Sequence, residues 1–191
     1  MTAPHPRALA STLTNVLNPF FIFTALFALA AFARSPAPEA LLYLGLELLA
    51  AAFVVVYVFL MRRRRRVGDF WISARAERLV PAIFLLSAFV GLLAALWLLD
   101  APGVLVLTTL SMGLAAATVA AVTLVWKTSA HTAVAGHAAV AGLLVLGPVG
   151  LIFVLALPLV LYARVGPWAH TLPQALAGVG VGAAFAAVFL V

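Results

Sequence analysis

Residues 81–99 read PAIFLLSAFVGLLAALWLL, an apolar run that contains no charged side chain and ends at Asp100. Its length matches the roughly 20 residues that a helix needs to cross a hydrocarbon core about 30 Å thick. Comparable runs lie at about 13–33, 40–61, 103–126, 129–147, 149–163 and 171–191. The sequence therefore predicts an all-α fold, a polytopic membrane bundle of about seven (six to seven) transmembrane helices. The sixth run is short and carries Pro158, so it is the weakest of the seven.

The composition leads to the same class of protein. Of the 191 residues, 66% are hydrophobic and 8% are charged, and the mean hydropathy is +1.24. So few polar residues cannot cover the surface of a soluble globule, and we expect one integral membrane domain over residues 1–191. The absence of cysteine excludes disulfides, thiolate metal ligands and a cysteine nucleophile.

The basic residues predict the orientation of the chain. If successive helices alternate in direction, residues 1–12, 62–80, 126–129 and 164–170 emerge on one face of the membrane. Of the 11 Lys and Arg residues, all except Arg34 fall on that face. The positive-inside rule places it in the cytoplasm. The net charge of +6 is thus explained by topology, with the 62–66 arginines as anchors to anionic lipid, and no nucleic-acid partner is expected.

The first apolar run also has features of a secretory signal peptide. Arg7 precedes it, and it ends in Ala31-Phe-Ala33, a pattern of small residues compatible with cleavage. The run is long enough to remain as the first span, so we expect it to be retained. The predicted location is a bacterial or archaeal plasma membrane, in which the protein is multi-pass.

Two imidazoles lie close to fixed positive charge. The stretch KTSAH, residues 127–131, places Lys127 four residues before His131, and RVGPWAHTLPQ, residues 164–174, places Arg164 six residues before His170. A cation at the edge of apolar helices is costly without a partner, and is therefore a candidate for a functional site. The partner predicted here is a phosphate group.

These two stretches resemble motifs of a known family. Ser129-Ala130-His131 resembles the Ser-Gly-His core of the PSGH motif, and residues 164–174 resemble the SRxxxxxHxxxD motif. Both motifs belong to the type 2 phosphatidic acid phosphatase superfamily, which includes lipid phosphate phosphatases and vanadium haloperoxidases. The chain differs from the motifs at Thr128, Ala130, Ala163 and Gln174, which stand where the family has Pro, Gly, Ser and Asp.

A third family motif, KxxxxxxRP, is present in altered form between residues 69 and 81. Trp71 stands where its lysine would fall relative to Arg78, and Lys127 is a candidate substitute. Arg75 and Arg78 are three residues apart and share one face if the segment is helical. The resemblance covers residues 69–182, which form the predicted phosphatase-like core of a divergent member.

The resemblance implies a role for each of these residues. His170 is the implied nucleophile and forms a phosphohistidine, His131 is the general acid that protonates the leaving alkoxide, and Gln174 occupies the position of the residue that orients the nucleophile. The implied phosphate ligands are cationic or hydroxyl side chains: Arg75, Arg78, Lys127, Ser129 and Arg164. Asp69 and Glu77 are possible supporting acids. No cofactor and no metal are implied.

The predicted function is hydrolysis of a lipid or isoprenoid phosphate or diphosphate at the cytoplasmic face, by a metal-independent phosphatase whose substrate inserts its tail between the helices. Membrane lipids are the other expected contacts. One alternative is a non-catalytic lipid-phosphate binding or transport protein on the same scaffold. Another is a structural membrane protein in which the motif matches arise by chance.

Three further residues have interpretations that do not depend on the resemblance. His137 lies about 240° around a helix from His131 and is predicted to be a packing residue that makes a hydrogen bond. Glu47 lies in the middle of the second span and must face protein or water; it is either structural or a headgroup contact. Asn18-Pro19 predicts a helix start or a kink, and Asn18 is alternatively a residue of the pocket.

Overall fold

The computed structural model describes residues 6–68, 77, 79–165 and 170–191, and its regular secondary structure in these ranges is helical. The helices are α1 (Pro6–Val16), α2 (Pro19–Arg34), α3 (Ala37–Arg63), α4 (Leu79–Leu98), α5 (Gly103–Val125), α6 (Ala130–Leu146), α7 (Leu151–Arg164) and α8 (Leu172–Leu190), with a 3-10 turn at Gly147–Gly150 between α6 and α7. The predicted all-α fold is confirmed.

Six described segments are long and apolar enough to cross a membrane. They are Ala8–Arg34, Ala37–Arg63, Leu79–Leu98, Gly103–Val125, Ala130–Arg164 and Leu172–Leu190. Large apolar side chains face outward along these helices, as in Leu49, Val90 and Trp97, and lipid is the solvent that such a surface requires. The chain is an integral membrane protein with a bundle of six to seven helices, as its composition predicts.

The first predicted span is divided at Asn18-Pro19. The Asn18 side chain accepts a hydrogen bond of 3.1 Å from the Phe21 amide, so it caps the N-terminus of α2, and Pro19 occupies the first turn, where its missing N–H costs nothing. The preceding α1 is a separate helix that packs against α7. The helix start predicted at this dipeptide is confirmed.

Helix α7 runs antiparallel to α6. Phe153 and Gly150, at its beginning, lie against Gly142, near the end of α6, whereas Arg164, its last residue, acts electrostatically on His131 at the start of α6. The reversal occurs at Gly147, whose φ of +59° is in a region that residues with a Cβ rarely adopt. The segment Ala130–Arg164 is therefore a helical hairpin, which returns the chain to the end of the bundle where α6 begins.

Helix α8 runs parallel to α6 at very close range. A Cβ atom added to Gly178 would lie 2.5 Å from the Ser129 carbonyl oxygen, and one added to Gly182 would overlap the Ala133 carbonyl. Gly136 meets the α8 backbone in the same way. Small residues allow this approach, which maximises van der Waals contact where lipid provides no hydrophobic drive for association. The Gly- and Ala-rich stretches thus set the position of α8 against α6.

Arg34, the basic residue predicted on the opposite face, has a structural role at the other end of the bundle. Its Nη2 donates a hydrogen bond of 3.1 Å to the Val145 carbonyl oxygen, one residue before α6 ends. A cation at this position satisfies a terminal carbonyl and complements the negative end of the helix dipole. This contact explains why Arg34 is basic although it lies on the face opposite the other Lys and Arg residues.

Helices α3 and α4 are joined by aromatic stacking. The Tyr57 and Phe84 rings are nearly parallel, with centroids 3.4 Å apart, and Phe53 stacks on the same ring at 5.8 Å. In the other half of the bundle, the fully buried Phe27 and Leu96 belong to a packed core cluster. Helices α2 to α6 also enclose a cavity.

Candidate functional site

The cavity has a volume of about 450 Å³ and lies among α2, α3, α4, α5 and α6. Most of its lining is aliphatic or aromatic. At one end it is lined by Thr128, His131, Arg164 and His170, which lie at or beside the ends of α5, α6, α7 and α8. The cavity is thus an apolar space with cationic and imidazole side chains at one end.

The cavity extends along the helices for more than half of a bilayer's hydrocarbon core. On α3 its lining runs from Val58 to Glu47, which is about 17 Å at a rise of 1.5 Å per residue. On α4 it runs from Leu79 to Leu92, about 20 Å by the same measure. Since the hydrocarbon core is about 30 Å thick, the inner end lies deep within the bundle.

Three chain segments bring the polar end together. His131 is the second residue of α6, and Arg164 is the last residue of α7. His170 lies directly before Thr171, the N-cap of α8; its amide donates a 3.1 Å hydrogen bond to the Arg164 carbonyl, and an isolated bridge pairs it with Val165. The two imidazoles and the guanidinium, which are distant in sequence, therefore line the same end of one cavity.

The surroundings of these groups favour an anion. His131 is 6% exposed and His170 is 5% exposed, and both Arg164 and His170 act electrostatically on His131. The positive ends of the α6 and α8 dipoles point to the same region, where they stabilise negative charge. Burial strengthens each of these interactions because the surroundings screen charge less than water does.

Ser129 and Lys127 are placed differently from the imidazoles. Ser129 is fully buried, its Oγ accepts a 3.4 Å hydrogen bond from the Thr132 amide as the N-cap of α6, and its carbonyl lies against Gly178. Lys127 is half-buried in the turn that precedes α6. Neither residue is among those that line the cavity in the described part of the chain. Their predicted contacts with phosphate stay predictions.

Gln174 occupies the N3 position of a capping box at the start of α8, in which Thr171 is the N-cap. Its Oε1 accepts a 3.1 Å hydrogen bond from the Thr171 amide, and the Thr171 side chain accepts from the Gln174 backbone. The spacing in Thr171-Leu-Pro-Gln174 is that of a capping box, a signal present in the sequence in addition to the predicted role of Gln174. The contact gives Gln174 a structural role at the start of α8, and its orienting role towards His170 stays a prediction.

A hydrogen bond between helices that the sequence did not reveal supports the same region. The Thr132 hydroxyl lies 2.8 Å from the Ala175 carbonyl oxygen and 3.1 Å from the Ser129 carbonyl oxygen, so it can donate to either. Thr132 follows His131, and Ala175 lies within the first turns of α8. The contact therefore joins α6, which carries His131, to α8, which begins just after His170.

The remaining predicted residues lie in the connection between α3 and α4. The Glu77 carboxylate accepts a 2.9 Å hydrogen bond from the Gly68 amide. Asp69, Arg75 and Arg78 lie outside the described residues, so their predicted roles stay predictions.

Glu47 faces the interior, as its mid-span position requires. Its side chain is 3% exposed and lines the cavity at the end opposite the imidazoles. The Thr24 hydroxyl is placed to donate to its carboxylate oxygens, at 2.9 and 3.1 Å. Glu47 is therefore a buried, hydrogen-bonded acid at the inner end of an otherwise apolar space.

His137 is a packing residue, as predicted. It is fully buried, and its Nε2 lies 2.8 Å from the Ser111 Oγ on α5. The Ser111 hydroxyl also lies 3.1 Å from the Thr108 carbonyl oxygen, so it either donates to that oxygen and accepts from Nε2 or donates to Nε2, depending on the His137 tautomer. His137 does not line the cavity.

Within the described ranges, no group of three or more His, Asp or Glu side chains is arranged to hold a metal ion. The arrangement of His131, Arg164 and His170 suits an anionic group attached to an apolar chain. Comparison of this chain with protein-family models, curated proteins and solved structures found no match.

Proposed function

We propose that the protein is a membrane phosphatase that hydrolyses a lipid or isoprenoid phosphate or diphosphate. The observation that carries this proposal is that His131, Arg164 and His170 line one end of an apolar cavity. A nucleophile, a general acid and a fixed cation are the groups that metal-independent phosphoryl transfer needs around one phosphorus.

The proposed reaction has two steps. His170 attacks phosphorus through a ring nitrogen, the bond from phosphorus to the alkoxide breaks, and His131 donates a proton to the departing oxygen. Water then attacks the phosphohistidine, His131 takes the proton of that water, and His170 and phosphate are released. Arg164 holds the equatorial oxygens, whose charge must be stabilised throughout the transfer.

The apolar part of the cavity is the proposed location of the substrate's tail. We propose that the imidazole end faces the cytoplasm across a bacterial or archaeal plasma membrane, because the arginines at 62–66 form the end of α3 and the residues after it, at the same end of the bundle. The substrate then enters from the lipid with its phosphate at the cytoplasmic surface.

A second candidate function is binding or transport of a lipid phosphate without hydrolysis. The observation that favours it is the capping contact of Gln174, since the amide occupies the family's carboxylate position and its oxygen already accepts from Thr171. An uncharged residue cannot compensate an imidazolium that forms on His170. Loss of the equivalent negative charge in a serine protease triad costs about 10⁴-fold in rate.

Phosphate release by the purified protein in nanodiscs tests the proposal, with long-chain alkyl and isoprenoid phosphates as substrates. His170→Ala abolishes turnover and keeps binding of a non-hydrolysable alkyl phosphonate, and His131→Ala lowers turnover by about 10²- to 10⁴-fold. Gln174→Asp raises turnover, and vanadate inhibits the wild type. His137→Gln is the matched control, because His137 lies off the cavity, and it keeps its turnover.

Three other outcomes would count against the phosphatase proposal. Full turnover by His170→Ala shows that the nucleophile is assigned wrongly. Phosphonate binding by a wild type that releases no phosphate supports the binding or transport function. If the wild type neither binds the phosphonate nor releases phosphate, both functions are without support.

A further inference from the structure

We propose that the cavity accepts hydrocarbon chains of limited length and that Glu47, held by Thr24, forms its polar floor. The protein then selects lipid phosphates by the length of the chain. This inference rests on the proposed function, because it takes the phosphate to lie at His131, Arg164 and His170.

The cavity is closed at its inner end. The last lining residues on α2, α3, α4 and α5 are Phe23, Glu47, Leu92 and Met112. Phe23, Leu92 and Met112 belong to the buried core cluster. The Phe23 ring also packs edge-on against Phe89, with centroids 5.6 Å apart. A chain that enters from the imidazole end therefore meets a floor.

The residues beyond this floor leave no continuation of the cavity. Phe27, Leu96 and Leu105 are fully buried members of the same cluster, and none of them lines the cavity. In a close-packed interior an added methylene group causes strain, because the neighbouring side chains cannot move apart to accommodate it. The depth of about 17 to 20 Å from the α3 and α4 linings is therefore a limit on chain length.

Glu47 makes the floor selective. In a membrane the tail leaves one apolar environment for another, so each methylene inside the cavity adds little to affinity. A chain that is too long must instead displace the carboxyl from its bonds to Thr24 or bury it against methyl groups. Either change leaves a buried polar group without its partner, which is unfavourable.

Binding of a graded series of unbranched alkyl phosphonates in nanodiscs tests this inference. The series runs from chains shorter than the cavity to chains about twice its depth. Affinity is expected to stay level up to a limiting length and then to fall by about 5- to 150-fold, the equivalent of leaving one buried polar group unsatisfied. Inorganic phosphate alone is expected to bind more weakly than the best phosphonate.

Three variants test the floor itself. Glu47→Ala and Met112→Ala each remove floor atoms and move the limit to longer chains. Glu39→Ala removes an exposed acid from the same helix and leaves the limit unchanged. Two different floor variants are used so that the misfolding of one does not remove the test.

Level affinity across all chain lengths overturns the inference, as does a limit that neither floor variant moves, or inorganic phosphate that binds as tightly as the best phosphonate. The phosphonates are not hydrolysed, so the limit is measured whether or not the protein is an enzyme. A length limit without turnover counts against the phosphatase alone, and turnover on all lengths without a limit counts against the floor alone.

Discussion

Gly178→Ala adds one methyl group where α8 lies closest to the start of α6. The new Cβ would lie 2.5 Å from the Ser129 carbonyl oxygen and would overlap the Thr132 hydroxyl. Restoring an ordinary contact of 3.4 Å requires α8 to move by as much as about 0.9 Å. Because His170 directly precedes Thr171, the N-cap of α8, and His131 lies in the first turn of α6, this movement changes the distance between the imidazoles.

The size of the effect follows from the displacement. A misplacement of about 1 Å among reacting groups costs on the order of 10²-fold in rate, so we expect turnover to fall by about that factor. In Gly178→Ala, overpacking lowers the free energy of unfolding by about 1 to 3 kcal/mol, and the higher helix propensity of Ala raises it by about 1 kcal/mol. Gly180→Ala, on the same helix with nothing within 4 Å of its added Cβ, is the matched control and carries only the propensity gain.

Thermal unfolding in detergent and phosphate release in nanodiscs measure the two effects separately. The free energies of unfolding of the two variants are expected to differ by about 1 to 3 kcal/mol, with Gly180→Ala the more stable. Equal stability and equal turnover in both variants would refute the view that backbone contact between α6 and α8 positions the imidazoles.

Three other predictions follow from contacts outside the cavity and from the topology. Ser111→Ala removes the partner of His137 Nε2 and should lower the free energy of unfolding by about 1 to 3 kcal/mol in thermal unfolding, while a change in substrate affinity would contradict the packing role. Arg34→Met removes the hydrogen bond to the Val145 carbonyl and should cost about 1 kcal/mol by the same measurement, so an unchanged midpoint would count against a capping role. A topology reporter fused after Val191 should lie outside the cytoplasm, because α7 returns the chain before α8; a cytoplasmic reporter would mean an even number of crossings.

The helices could be predicted closely because membrane spans are continuous apolar runs bounded by charge, Pro or Gly. The run at 103–126 corresponds to α5, Gly103–Val125, and the run at 171–191 to α8, Leu172–Leu190. The run at 13–33 lies within one candidate span, Ala8–Arg34, which contains both α1 and α2. Asn18-Pro19 carries the signal for a new start, but hydropathy alone does not distinguish a kink from a cap.

Less of the candidate site could be predicted. The resemblance assigns His131, Arg164 and His170 to one phosphate, but the α6–α7 hairpin and the parallel α8 that bring them to one cavity are not encoded in local patterns. The contact between Thr24 and Glu47 likewise joins different helices, and the depth of the cavity depends on how four helices diverge. The capping role of Gln174 is encoded in the spacing Thr171-x-x-Gln174, which is typical of a helix start.

The cavity is assembled from two groups of helices that contribute different atoms. Helices α6 and α7 and His170 supply the imidazoles and the guanidinium, whereas α2 to α5 supply aliphatic and aromatic wall and one acid. Substitutions in that wall can therefore change the shape of the cavity without contact with the imidazoles or the guanidinium. In protein engineering, the same division makes α2 to α5 the place to alter the apolar wall, with α6 to α8 left intact.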